Sequence, residues 1–364
     1  MIPPIASRIP LVRRAKKPAL PLDERLTLLN RLTVAPAGAA HHDLVARTCS
    51  VLNYAALIAS DVGMPALAAD LCWRQHEVFA DAGQHTGDIA VMSLMPIINI
   101  SRLLTREGDG EAAYDVLTRL YRAAQKRGTT EIRGHTVDLS TLINTDADHQ
   151  TICKELWVTV LVDGARALAR IGRWTEAAEA MTAYRGIGNR LLDGRQIKIM
   201  SLMERGLTQQ ARDTIDSTTP TEPWENTVAG LLRICCRPER SPALRPELDA
   251  ALQATHDLIA TPDPETAVFQ ARAGLCALDL GDQTSPRATL LRNAVVDVAI
   301  LDAYAARDVL GHQPTSAHMT SAQRQKLDAV LAASRLGAGS LPPADMDALN
   351  AAVDKGEAAL RGLL

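Results

Sequence analysis

Aromatic residues are scarce in this chain: four tryptophans, five tyrosines and two phenylalanines make up 3% of its 364 residues. That scarcity weighs against sandwiches and barrels, whose strands draw on aromatic and β-branched side chains. No C-x-x-C joins any of the six cysteines (Cys49, Cys72, Cys153, Cys235, Cys236 and Cys276), and each lies in an apolar helical stretch. They read as buried free thiols in a reducing cytoplasm. Charge of one sign is lacking too: a net charge of −3, with 22% charged residues, gives no bulk attraction to nucleic acid or to an anionic membrane. The basic residues near the start (Arg8, Arg13, Arg14, Lys16 and Lys17) are interrupted by prolines at 3, 4, 10, 18 and 21. No apolar signal region follows them, and no 18-residue apolar run is read as a membrane span. The expectation is a cytoplasmic protein without a membrane partner.

Chemical signatures are missing as well. The sequence holds no G-x-S-x-G, no H-E-x-x-H, no G-x-x-x-x-G-K-[ST] and no G-x-G-x-x-G. Arg185-Gly186-Ile187-Gly188-Asn189 reads as a turn between helices, and no cysteine is read with a histidine partner. The loop from 128 to 150 carries His135, Asp138, Asp146, Asp148 and His149, but not at the spacing of a metal site. It reads as a polar surface segment, either a small hairpin around Gly134-His135 or an ordered polar loop. His312 and His318 flank a Pro-Thr-Ser loop and read as solvated; Trp224 reads as a staple at a helix start. No catalytic residue, cofactor or metal is expected.

What the chain does have is apolar, Ala- and Leu-rich helical patterning, with 47% hydrophobic residues, so the expected class is all-α. One spacing recurs four times: a glycine closes an apolar stretch and an alanine follows five residues later, at Gly63/Ala68, Gly108/Ala113, Gly172/Ala177 and Gly206/Ala211. Glycine accepts the left-handed backbone that ends a helix, and a small residue lets the next helix approach closely. Each unit is therefore read as a helical hairpin, and hairpins with uncovered apolar faces are expected to stack.

Gly172 and Gly206 are 34 residues apart, the repeat length of the tetratricopeptide family. At Ala-Leu-Ala-Arg-Ile-Gly172-Arg-Trp174-Thr-Glu-Ala177 the chain resembles that family's G-x-[YW]-x-x-A centre. Glu107-Gly108-Asp109-Gly110-Glu111-Ala112-Ala113 resembles a weaker copy, and the resemblance covers residues 45 to 217. It departs from the family in two ways. Spacings of 45 and 64 separate the earlier glycines, and Pro65, Gly110 and Thr208 stand where an aromatic is expected. The wording at 186 to 196 is similar to helical-repeat proteins of high-GC actinobacteria.

The expected plan is a disordered basic arm (1–20), then tetratricopeptide-like hairpins (21–217) with a polar insertion at 128–150, then a helical C-terminal cap or capping bundle (218–364). Leu22, Leu26 and Leu29 mark a short amphipathic helix, 287–310 a long apolar one, Thr320 to Gln323 a capping box, and Pro342-Pro343 the start of the last helix. The resemblance implies an α-solenoid whose inner wall is lined by the first helix of each hairpin. Counting back ten and six residues from each glycine gives Asn53 and Leu57, Ile98 and Arg102, Val162 and Arg166, and Gln196 and Met200 as wall positions. Arg106 and Arg170 lie one turn beyond Arg102 and Arg166 on the same faces.

Guanidiniums so placed could bind carboxylate or phosphate in bidentate fashion. The expected binding residues are Asn53, Arg102, Arg106, Arg166, Arg170 and Gln196, and the expected partner is a protein or peptide segment, acidic in character, with nucleic acid disfavoured. A competing reading puts these arginines on solvated faces, partnered by helix-end carbonyls or Glu107. Two other functions stay open at this point: an enzyme or enzyme subunit in peptide or natural-product tailoring, and a ligand-sensing regulator.

Overall fold

The computed structural model describes residues 3–85, 87–142, 145–237 and 244–364. Among these residues helix dominates, and the one sheet is a two-stranded hairpin, so the class is all-α.

The four glycine signatures each fall between two helices. Gly63, Gly108, Gly172 and Gly206 have φ of 94°, 90°, 80° and 74°, the region where a Cβ is strained. Gly63 divides His41–Val62 from Pro65–Ala82, and Gly108 divides Met95–Glu107 from Gly110–Lys126. Gly206 divides Asp193–Glu204 from Thr208–Asp216. In these three cases the two helices pack on each other, and all four signature alanines are fully buried. Gly110, which stands in the aromatic slot of the second copy, has its own reason. A Cβ there would lie 2.2 Å from the carbonyl oxygen of Ala167.

The chain divides into two compact units, and the division falls at Gly172, not at 217. The linker expected to separate domains is tied down instead. Thr219 N donates to Asn189 O at 2.9 Å, and Arg190 reaches both Glu222 and Glu225.

Unit I comprises Leu22–Ile171 and Gly337–Leu364. Leu22, Leu26 and Leu29 are buried on the helix Leu22–Leu32, as their spacing predicts. Strands Thr129–Ile132 and His135–Asp138 pair antiparallel about Arg133 and Gly134, whose φ of 50° and 82° make the turn that suits strand twist. The last helix, Pro343–Leu363, packs on His41–Val62, which lies far before it in sequence. Gly356 permits that approach, since a Cβ there would meet Val51 Cγ1 at 2.8 Å. One stretch, Gly87–Glu107, reaches a mean hydropathy of 1.3 over 18 residues, long and apolar enough to cross a membrane, contrary to the sequence expectation. Its Ile97, Ile98, Ile100, Leu103 and Leu104 are buried in unit I.

Unit II comprises Met1–Pro21 and Gly172–Leu336. Its long helices Trp174–Ala183, Asp193–Glu204, Thr208–Asp216, Pro223–Cys235, Leu244–Ile259, Ala267–Leu280, Pro286–Ala299 and Ala303–Leu310 each pack on the next. The apolar run 287–310 is two helices, because Asp302 accepts from Tyr304 N and Ala305 N and caps a new one. Ser321–Ser334 opens on the expected capping box.

The arm was expected to be disordered, and it is ordered from residue 3. A 3-10 turn at Pro4–Arg8 leads into an extended segment, with Ile5, Ile9 and Leu11 buried in unit II. Proline excludes helix but also lowers the entropy lost on ordering an extended chain. The wall of unit II supplies the hydrogen bonds that helix would have made.

Candidate functional site

In unit I polar side chains join three helical segments. Asn99 Nδ2 donates to Asn53 Oδ1 at 2.8 Å, and Arg102 donates to Asn99 Oδ1 at 3.2 Å and to Asp163 Oδ2 at 2.9 Å. Asn53 lies on His41–Val62, Asn99 and Arg102 on Met95–Glu107, and Asp163 on the π-helical turn Val160–Gly164. The ladder links the three helical segments through their side chains within the unit. Arg102 remains 48% exposed, so its ion pair contributes at most about 1 kcal/mol.

Arg106 reaches the other way. It donates to Asp61 Oδ1 at 2.7 Å and to Ser60 Oγ at 3.3 Å, across to the first hairpin. The far oxygen of Asp61 receives Arg25 at 2.6 Å, and the side chains of Arg25 and Asp61 are 2% and 1% exposed. Arg25 also lies over the Tyr54 ring, 5.7 Å from its centroid. Of the four arginines expected to await an acidic partner, Arg102 and Arg106 therefore face carboxylates of this same chain. Arg166 is half-buried and Arg170 exposed on Ala165–Arg170.

Gln196 sits in unit II, fully buried, and it holds the arm. Leu11 N donates to its Oε1 at 2.7 Å, while its Nε2 donates to Leu11 O at 2.7 Å and Leu191 O at 2.8 Å. On either side of Leu11, Arg8 pairs with Asp279 and Arg14 with Asp193. Arg13 lies 3.6 Å from Asp263. Further on, Lys16 N donates to Glu265 O at 2.8 Å and Ala19 N to Asp302 Oδ2 at 2.8 Å.

His312 was read as solvated, and it is buried instead. Its Nε2 is 2.6 Å from Asp279 Oδ1 and its Nδ1 2.7 Å from Thr315 Oγ1. Burial raises the Asp279 pKa, but hydrogen bonds from His312 and the Arg8 charge outweigh it and leave the carboxyl below its ordinary value.

The 128–150 residues do not converge. His135 stacks on Trp73 with centroids 3.9 Å apart, Asp138 accepts from Ser140, and Asp146 pairs with Arg127. Asp148 accepts from Gly87 N and Thr145, which lowers its pKa. Among the described residues no group of three His, Cys, Asp or Glu could hold a metal ion.

One cysteine has a histidine four residues upstream that sequence reading passed over: Cys153 Sγ lies 3.5 Å from His149 Nε2. That nitrogen also lies 2.8 Å from Ala124 O, a contact that needs a proton on it. It thus cannot accept the thiol proton, and burial holds the Cys153 pKa up despite Arg127. Burial pushes the Cys49, Cys72 and Cys276 thiols up to about 12. Trp224 is buried at its helix start, edge-on to Phe269 at 5.7 Å. A cleft of about 210 Å³ in unit I lies between Pro65, Ala66, Ala69, Ile100 and Leu103, with Glu107 and Arg133 at its edge.

The fold defines an all-α protein. No family model matches the chain, and neither a curated protein nor a solved structure matches it.

Sequence reasoning singled out Asn53, Arg102, Arg106 and Gln196 but missed the partners that hold them. Asn99 and Asp163 share one position, nine residues before Gly108 and Gly172, so the same counting reaches them. Leu11, Asp193, Asp279 and His312 carry no such register. The one local sign was the run of aliphatics at Ile5, Ile9 and Leu11 within a basic, proline-rich segment.

Proposed function

We propose that this protein is a non-catalytic helical-repeat scaffold, its hairpins stacked as a tetratricopeptide-like solenoid whose inner wall holds an extended peptide segment of a partner. The observation that carries this reading is the seat of Leu11. An extended segment is held there through its main chain by Gln196, at a wall position counted from Gly206. A side-chain amide that pairs with both main-chain groups of one residue holds an extended segment whatever side chain that residue carries. The ladder of Asn53, Asn99, Arg102 and Asp163 adds a second support, because it joins three helical segments through polar groups.

In this reading apolar wall contacts supply affinity, and Asn53, Arg102, Arg106, Arg166, Arg170 and Gln196 orient the polar groups of the segment. The buried thiols suit a reducing compartment, so a cytoplasmic location belongs to the same proposal. The test is affinity capture from the native cell, read by mass spectrometry, with the wild-type chain and the Arg102→Glu/Arg166→Glu variant. Loss of partners at unchanged helicity is expected. Capture unaltered by both reversals, or absent from the wild-type chain, overturns the assignment.

A further inference from the structure

Unit II holds an extended peptide in full view, and the chemistry of that peptide identifies what the wall accepts. Between residues 3 and 19 the arm has five basic residues and no acidic one. Its charges meet carboxylates at Asp193, Asp263 and Asp279. Leu11 is 2% exposed and lies three residues from each of the two paired arginines, Arg8 and Arg14.

The receiving groups are built in. Gln196 is 0% exposed, and Asp193, Asp302 and His312 are buried with it. His312 fixes Asp279 from behind, itself held by Thr315. Counting hairpins on from Gly206 makes Asp193–Glu204, Pro223–Cys235, Ala267–Leu280 and Ala303–Leu310 first helices, and the arm's bonds reach the first, third and fourth of these or the residues just before them. The arm thus bonds to elements spread across unit II.

Resting on the groove reading above, we propose that the unit II wall is a binding site for extended, basic, proline-containing peptide segments of the pattern Arg-x-x-aliphatic-x-x-Arg. Residues 3–19 are its resident occupant, and an incoming segment of the same chemistry displaces them. The main chain at the central aliphatic is read by the Gln196 amide. The flanking arginines are read by Asp279 and Asp193, which sets the polarity of the ligand opposite to the acidic partner expected from sequence. A tether of this kind competes at a high effective concentration, so an incoming peptide must match the arm closely or be abundant.

The test uses the full-length chain and a fluorescently labelled synthetic peptide of residues 3–19. Anisotropy is measured on the wild-type chain, on Arg8→Glu/Arg14→Glu, whose own arm is weakened, and on that variant with Gln196→Ala added. The peptide is expected to bind the arm-weakened chain at least about tenfold more tightly than the wild type, whose arm competes. Adding Gln196→Ala should lower that affinity by roughly tenfold or more, and a peptide with glutamate at both arginine positions should not bind.

Should the arm-weakened chain fail to fold, hydrogen exchange on the unaltered chain decides. Unlabelled peptide at roughly millimolar concentration should speed exchange of the chain's own Leu11 and Ala19 amides while leaving Ala267–Leu280 unchanged. Absence of saturable binding to a folded arm-weakened chain, equal binding of the acidic peptide, or unchanged exchange at Leu11 each overturns the proposal. These failures leave partner capture through Arg102 and Arg166 untouched, so they do not by themselves dispose of the broader scaffold reading.

Discussion

The side-chain amide of Gln196 closes on Leu11 from both sides, accepting from its N–H and donating to its carbonyl, each at 2.7 Å, across 185 residues of chain. Both groups are buried, so neither has water as an alternative. Gln196→Ala leaves them unpaired and is expected to weaken the seat of the arm by about 2 kcal/mol. Hydrogen exchange at Leu11 should then rise roughly thirtyfold, with the helices of unit II slower to follow. Gln196→Glu should be at least as damaging, since a carboxylate would face the carbonyls of Leu11 and Leu191.

Asp61 answers two guanidiniums with one carboxylate, and only one of the two has access to water. Arg106 is partly exposed and can be solvated if its partner is lost, whereas Arg25 is buried. Asp61→Asn is therefore expected to destabilise unit I by about 3 kcal/mol, dominated by the stranded Arg25. Arg106→Ala should cost well under half of that. Urea unfolding of the two variants measures the difference, and a double variant of Asp61→Asn with Arg25→Met should recover much of the loss. Equal effects from the two single variants would show that burial of Arg25 is not what sets the cost.

The hairpins were legible because what makes them is local. Gly63, Gly108 and Gly206 each turn the chain within a few residues of the alanine that buries the next helix, and both sit in one short window of sequence. A fixed count from each glycine also singled out Asn53, Arg102 and Gln196, and each of them makes a side-chain hydrogen bond to a residue distant in sequence. The arm was not legible, because its order comes from Gln196, Asp193 and Asp279, far away in sequence and without any local pattern. Proline and positive charge gave a correct reading of extended backbone and an incorrect one of its freedom. His312 failed in the same way, since its burial depends on Asp279 in another helix. The departure at Gly110 looked like decay of the repeat, yet it is a contact with Ala167 that only the third dimension displays.

That contact sets a sharp limit at Gly110. The helix Gly110–Lys126 lies so close to Ala165–Arg170 that a Cβ at Gly110 would fall 2.2 Å from Ala167 O and 3.0 Å from Ile171 Cγ2. On an exposed helix position alanine would stabilise by about 1 kcal/mol relative to glycine. Here the neighbouring backbone must move, so Gly110→Ala is expected to destabilise by about 2 kcal/mol or more. A thermal midpoint that falls for Gly110→Ala tests this. An increase would mean the two helices are not in contact at this position.

Acidification should weaken unit I before its carboxylates titrate. His76 is buried beside Trp73, whose ring meets it edge-on at 5.9 Å, and beside His135, which stacks on the other face of the same cluster. Burial first, and the charge of His135 second, push the His76 imidazole down to about 4. Burial also lowers His85, against a hydrogen bond to Phe79 O that acts to raise it. An unfolded histidine titrates near about 6.5, so between there and about pH 4 the unfolded chain takes up a proton that folded His76 refuses. Its stabilisation is complete above that window, falls as the pH drops through it, and is exhausted below it. The full loss is about 3 kcal/mol, of which roughly two-thirds should be gone by pH 5. Urea midpoints at pH 7 and pH 5 measure it for the wild type and for His76→Leu, and the wild type should lose more on acidification than the variant. Parallel losses in the two proteins would mean that His76 takes up its proton in the fold as readily as in the unfolded chain, and would overturn this assignment.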